Sequence, residues 1–149
     1  MKAWRIAHRA FPIMDGEGAA ARPGRWNGPG QPAIYCGGSF AIAMLERLCY
    51  ARLGRLPKTD VYVEVTIPDS PIEQFDPAAH DGWDRPRSAV AKRFGIDWIA
   101  GAGSVALLVP SVVTGIDWNV IINPNHPDFA RVTWSPPRPV IWDRRLFAR

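Results

Sequence analysis

Three residues of this 149-residue chain stand in settings that could support chemistry: an arginine in a glycine-rich loop, a glutamate on an amphipathic segment and a serine behind an apolar strand. Arg25 lies in 24-GRWNGPG-30, just ahead of the strand-like run 33–36. A guanidinium there offers a planar fork of donors to a phosphate or carboxylate. The alternative is a surface arginine stacked on Trp26. The loop is neither a P-loop nor a dinucleotide fingerprint, so glycine spacing alone names no ligand.

Glu46 falls in a segment, 40–53, rich in strong helix formers. On a helix it shares a face with Ile42, Cys49, Tyr50 and Leu53. A carboxylate on an apolar stripe is costly to bury without a partner. Glu46 is therefore paired with an arginine, displayed in a cleft, or simply solvated. Ser111, in 107-LLVPSVVTG-115, follows an apolar run and a proline. It has no G-x-S-x-G elbow, which favours a turn residue over a nucleophile.

The segment 117-DWNVIINPNHPDFARV-132 is dense in Asn, His and Asp. His126 has no second ligand at metal-binding spacing, and His8 and His80 are isolated. All three histidines are read as structural, and no metal is expected. Tyr35, on its strand, and Tyr50, one turn beyond Glu46, read first as core residues.

These residues must be placed by a mixture of strands and helices. Residues 3–9 alternate as a first strand, and 15–31 form a long loop. Residues 33–36 make a short buried strand broken by Gly37 and Gly38. Ser39 caps the helix 40–53, and Gly54 ends it. Residues 61–67 (VYVEVTI) are the clearest strand, and 72–75 another short one. A helix spans 87–100, ended by Gly101 and Gly103. Strands follow at 105–109 and 118–122. The proline-rich tail permits only short edge strands. Without regular alternation of strand and helix, the expectation is an α+β single domain over 1–149, with a mixed, mostly antiparallel sheet.

The net charge of +4 favours anionic partners without choosing among them. No run of five or six like charges suggests a nucleic-acid tail. Cys36 and Cys49 are too few for a disulfide framework and are read as reduced core thiols. The first residues, MKAWRIAHRAF, lack an apolar signal core, and no apolar run reaches the length of a membrane span. A cytoplasmic protein with no membrane contact is expected.

Taken in order, the motifs resemble the RES-domain family, named for an Arg, a Glu and a Ser. The likeness rests on 24-GRWNGPG-30, 34-IYCGGSFAIAMLE-46, 108-LVPSVV-113 and 119-NVIINPNHPDFARV-132. Arg25, Glu46 and Ser111 match the three naming residues, and 81-DGWD-84 is also family-like.

The resemblance implies a fold similar to that of ADP-ribosyltransferases. It also implies the toxin half of a bacterial toxin–antitoxin pair, one that consumes NAD⁺ without a metal. Nicotinamide would be released to water or phosphate, or ADP-ribose passed to a protein. The partner implied is a helical Xre-type antitoxin that blocks the active site; no direct nucleic-acid contact is expected. Glu46 would steady the positive charge that builds on the ribose, and Arg25 would clamp the pyrophosphate. Tyr35, then Tyr50, would be the aromatic platform. Ser111 would orient Glu46 or the ribose, and Asn119 and Asn123 would line the pocket. A homodimer is expected from the short edge strands and from Trp134 and Trp142, both read as exposed. The basic composition keeps an RNA-binding or RNA-cleaving toxin as the rival class.

Overall fold

The structure, a computed structural model, describes residues 1–50, 56–69 and 72–147. Its centre is one eight-stranded sheet. The strands are β1 (Lys2–His8), β2 (Ile34–Gly37), β3 (Asp60–Thr66), β4 (Glu73–Gln74), β5 (Ala106–Pro110), β6 (Trp118–Ile122), β7 (Thr133–Trp134) and β8 (Arg138–Pro139). Their order is β4-β5-β6-β2-β1-β3-β7, with β8 also paired to β3. The β4–β5 pair is parallel and the other pairs are antiparallel. This is the mixed, mostly antiparallel α+β domain anticipated.

Both sheet faces are covered, which explains the continuous apolar runs in β5 and β6. On one face Ala3, Val63 and Val65 join Ile34, Cys36, Ala106, Val120 and Ile122, closed over by Ile13, Met14 and Val132. On the other, Leu107, Val109 and Ile121 pack with Trp26, Phe75, Ala91, Trp98 and Ile99. The period of two sends odd-numbered residues of β2, β5 and β6 to this second face.

Three helices complete the domain: α1 (Glu17–Ala21), α2 (Phe40–Tyr50) and α3 (Ala89–Gly101). Ser39 caps α2, its hydroxyl accepting from the Ile42 amide at 3.2 Å. The helix starts directly over Gly37, where an added Cβ would lie 2.5 Å from the Ala43 nitrogen. Further along, Arg47 donates from Nε and one terminal nitrogen to both oxygens of Asp60, at 2.9 and 2.8 Å. The Asp60 side chain is wholly buried, so this fork anchors α2 to β3. The expected C-terminal turn of the helix, with Leu53 and Gly54, lies outside the described residues.

Several expectations change. The loop expected over 15–31 contains α1, which begins behind Gly16 in the left-handed region (φ 75°), with the Asp15 carboxylate accepting from the Glu17 amide. Helix α3 begins later than expected, at a Ser88 cap, and its C-cap is Ala102 in the left-handed region (φ 46°), not a glycine. Cys36 is a buried thiol, its pKa pushed up to about 12 by burial, but Cys49 is exposed and is not a core residue. Trp134 is exposed and stacks on Phe129, whereas Trp142 is buried against Phe147. Its indole is therefore no surface for a second copy. The tail folds back through β8, which pairs with β3 and carries Val140 and Trp142 inward.

Gly95 lets α3 touch the loop that holds Arg25. A Cβ there would overlap the Trp26 carbonyl oxygen, 1.8 Å away. Alanine in an open helix interior would add about 1 kcal/mol of stability over glycine. Here the clash reverses the sign: Gly95→Ala should destabilise by about 1–3 kcal/mol, measured by urea unfolding.

Candidate active site

The site lies on the second sheet face, between the ground covered by α2 and that covered by α3. Tyr35 on β2 and Asn119 on β6 are odd-numbered members of that face, and Ser111 follows β5 in the same phase. Register brings them together: Gly37 pairs with Asn119, and Val109 pairs with Asn119 on its other side.

Glu46 projects from α2 onto these strand ends. Its Oε1 accepts from Ser111 Oγ at 2.9 Å and from Asn119 Nδ2 at 2.6 Å. Ser111 is fully buried. Its hydroxyl oxygen also accepts from the amides of Val113 and Thr114, at 3.2 and 3.3 Å. Those two bonds occupy its acceptor capacity and aim its one proton at the carboxylate. Ser111 is therefore an orienting donor rather than a nucleophile. Both donors converge on Oε1, and Oε2 has no protein partner among the described residues. The Asn119 side-chain oxygen Oδ1 is buried and unpartnered among those residues as well.

Arg25 is fixed by a different device. One terminal nitrogen donates to the carbonyls of Trp83 and Arg85, at 2.9 and 2.8 Å, leaving its other donors uncommitted among the described residues. Trp26 is not its stacking partner: that ring is buried among Phe75, Trp83 and Phe94.

The loop carrying Arg25 is held by Asn27, a residue the sequence pattern did not single out. Asn27 is fully buried. Its Oδ1 accepts from the Gly24 amide and the Tyr35 hydroxyl, both at 2.8 Å. Its Nδ2 donates to the carbonyls of Ala19 and Gln31, at 2.8 and 2.9 Å. Lys92, on α3, was also missed; its ammonium donates to the carbonyls of Gly24 and Asn27, on either side of Arg25. The one available signal was an asparagine amid glycines, a common turn-former. Lys92 gave none, because its partners are backbone atoms.

Tyr35 belongs to the same network. Its hydroxyl accepts from the Trp26 amide at 3.0 Å while donating to Asn27. Burial, above all, raises its pKa. Tyr50 is 74 % exposed. Its pKa is also raised, first by partial desolvation and then by the Glu46 carboxylate, with Arg25 opposing. The Tyr50 hydroxyl therefore lies in the field of both Glu46 and Arg25.

Asn123 is placed elsewhere. It is buried at the far end of β6, where Nδ2 donates to the Ile99 carbonyl and Oδ1 accepts from the Asn125 amide. Those bonds tie α3 to a turn and leave the amide no part in lining the site. His8 and His126 each accept a backbone amide within a local turn, and the ring of His80 meets the Asp76 carbonyl. Among the described residues, no group of three His, Cys, Asp or Glu side chains could hold a metal.

Comparison with known proteins gives a consistent picture. The RES domain family matches residues 2–143. The "Prs ADP-ribosylating toxin" of Sphingobium sp. (strain YBL2) is 33 % identical, covering 98 % of this chain and 96 % of its own. A protein named "Toxin Res" from Yersinia enterocolitica is 32 % identical, over 87 % of this chain and 88 % of its own. Among solved structures, one chain of the M. tuberculosis MbcT–MbcA toxin–antitoxin complex superposes with a TM-score of 0.69. It covers 93 % of this chain and 83 % of its own at 18 % identity, a likeness of fold.

The Asn27 network predicts an outcome. Asn27→Ala leaves the Gly24 amide, the Tyr35 hydroxyl and the partly buried Ala19 and Gln31 carbonyls short of partners. It should lower stability by about 2–3 kcal/mol in urea unfolding. Limited proteolysis should then cut the loop after Arg22 or Arg25 faster than in the parent protein.

Proposed function

The chain belongs to the RES-domain family, and on that premise we propose that it is a toxin that breaks the nicotinamide–ribose bond of NAD⁺. The observation that carries this reading is the state of Glu46. Its carboxylate is fixed through one oxygen by two donors while the other oxygen stays free.

The reaction suits a lone acid. As the bond from C1′ to the nicotinamide nitrogen breaks, its electron pair leaves with nicotinamide and positive charge builds on the ribose. The leaving group departs neutral, so no general acid is required. Free Oε2 steadies the growing charge and accepts a hydrogen bond from a ribose hydroxyl. The acceptor oxygen then bonds to C1′; a water loses its proton to solvent, whereas an ionised phosphate oxygen has none to lose. Ser111 and Asn119 act through Glu46 as positioning residues, holding its carboxylate before substrate arrives.

Arg25 takes the pyrophosphate with the donors not spent on carbonyls. We assign the aromatic platform to Tyr50, whose ring is exposed, ahead of Tyr35, which is partly buried and tied to the loop through its hydroxyl. This reverses the order in which the sequence ranked them. The acceptor is water or phosphate in this reading. A protein acceptor is the second reading, favoured by the ADP-ribosylating relative. The partner would be a helical Xre-type antitoxin covering the cleft; support comes from the superposed toxin, which was crystallised with its antitoxin.

The test is nicotinamide release from NAD⁺ by the purified protein, with products identified by mass spectrometry. Glu46→Gln should lower kcat at least about 10²-fold, and Arg25→Ala should cost about 10-fold or more, mainly in KM. Wild-type turnover in Glu46→Gln would end the assignment. ADP-ribose attached to a protein, without free ADP-ribose, would move it to the second reading.

A further inference from the structure

We infer that Lys92 and Arg25 form a two-cation subsite for a diphosphate, with Lys92 a binding residue in its own right. The inference rests on the proposed NAD⁺ chemistry for its ligand, but its geometry stands apart from Glu46.

The first argument is placement. The Lys92 ammonium bonds the carbonyl of Gly24, just before Arg25, and that of Asn27, two residues after it. The Lys92 ammonium is thus held at the turn from which Arg25 projects, while the Arg25 guanidinium is held by the Trp83 and Arg85 carbonyls. Two of the three ammonium hydrogens are used, and one is left.

The second argument is charge. Within the described residues, neither Arg25 nor Lys92 meets a carboxylate; their hydrogen-bond partners are backbone carbonyls. Carbonyls orient a cation without neutralising it. Lys92 also sits in the first turn of α3, behind the Ser88 cap. The positive end of a helix dipole is unfavourable for a cation and suited to an anion. Burial lowers the Lys92 pKa, and the charge of Arg25 lowers it further. Repulsion of this kind is relieved by a ligand of two negative charges. Monoanions and uncharged nucleosides relieve it less.

A purely structural lysine would make the same two carbonyl bonds, so the test must separate charge from scaffolding. Binding of ADP and of adenosine is measured by calorimetry for the wild type, Lys92→Met, Lys92→Arg and Arg25→Ala. Lys92→Met should weaken ADP roughly ten-fold or more and adenosine less than about two-fold, and Lys92→Arg should recover most of the ADP affinity. Equal weakening of both ligands by Lys92→Met, or no weakening of ADP, would overturn the subsite.

Should Lys92→Met fail to fold, the wild type gives the answer. ADP affinity should fall steeply as salt rises from about 0.01 to 0.15 M, where the screening length drops from about 30 to 8 Å. A flat dependence would count against the cation pair. If Arg25→Ala also leaves ADP binding unchanged, the dinucleotide reading fails as well. If only Lys92→Met does so, that reading stands and the subsite alone is lost.

Discussion

Two hydrogen bonds to one carboxylate oxygen set the terms for the rest of this structure. Glu46 stands on a helix whose neighbouring positions face the sheet, and a half-buried carboxylate there must exchange water for protein donors. Ser111 and Asn119 supply those donors from the ends of two neighbouring strands. They can do so only if α2 lies close to the sheet and does not slide. Gly37 gives the closeness, because any side chain there would push against the helix backbone at Ala43. The Arg47–Asp60 fork supplies the hold, one residue beyond Glu46. Helix, strand ends and ion pair are parts of one arrangement that fixes one oxygen of Glu46 and leaves the other uncommitted.

The cationic side obeys the opposite logic. A carboxylate partner for Arg25 would have fixed the guanidinium at the expense of its charge. Carbonyls fix it and leave the charge in place, and the same holds for Lys92. This requires carbonyls that point at side chains rather than at a strand neighbour, which only an irregular loop supplies. The loop stays in shape because Asn27 ties it to itself at Gly24 and Gln31, to α1 at Ala19 and to β2 at Tyr35. Gly95 lets α3 lie against its backbone. The glycine-rich stretch is thus a rigid support for cations, though it follows no familiar phosphate-loop pattern.

What could be read from the sequence follows from which interactions leave a periodic trace. The alternation in 61–67 and the apolar runs near 107 and 120 gave the strands, because sheet burial repeats every two residues. Helix α2 was legible from its formers and its Ser39 cap. Glu46 stood out because it broke an apolar stripe, and its partners were then suggested only by family likeness. Lys92 was invisible because it acts on backbone carbonyls, to which any sequence contributes equally, and Asn27 showed only as a turn-forming residue amid glycines. Asn123 was misplaced because strand direction, not residue type, decides which end of β6 meets the site. Cys49 and Trp142 failed as burial expectations for related reasons. An apolar neighbourhood in sequence does not reveal on which side of a short helix a thiol falls. A proline-rich tail does not reveal that it folds back along β3. Ala102 replaced an expected glycine because the left-handed region costs a non-glycine residue only about 1–2 kcal/mol, which one cap bond to Trp98 helps to offset.

The placement of the two helices on one sheet face sets a carboxylate on one and cations beside the other. The strands between them carry Glu46's donors, and the loop under α3 carries the cations. A ligand lying across that strip would meet a negative charge at one end and positive charge at the other. Under the proposed reading this matches NAD⁺ in its own charge order, with a nicotinamide–ribose that is cationic and shifts its charge onto the ribose as it reacts, and a diphosphate that is anionic throughout. A substrate bound the other way round would set its diphosphate against Glu46 and its cationic end against Arg25. Like charges would then meet at both ends. The same distribution that binds the dinucleotide would therefore orient it, and the orientation would require no residue dedicated to recognising nicotinamide itself.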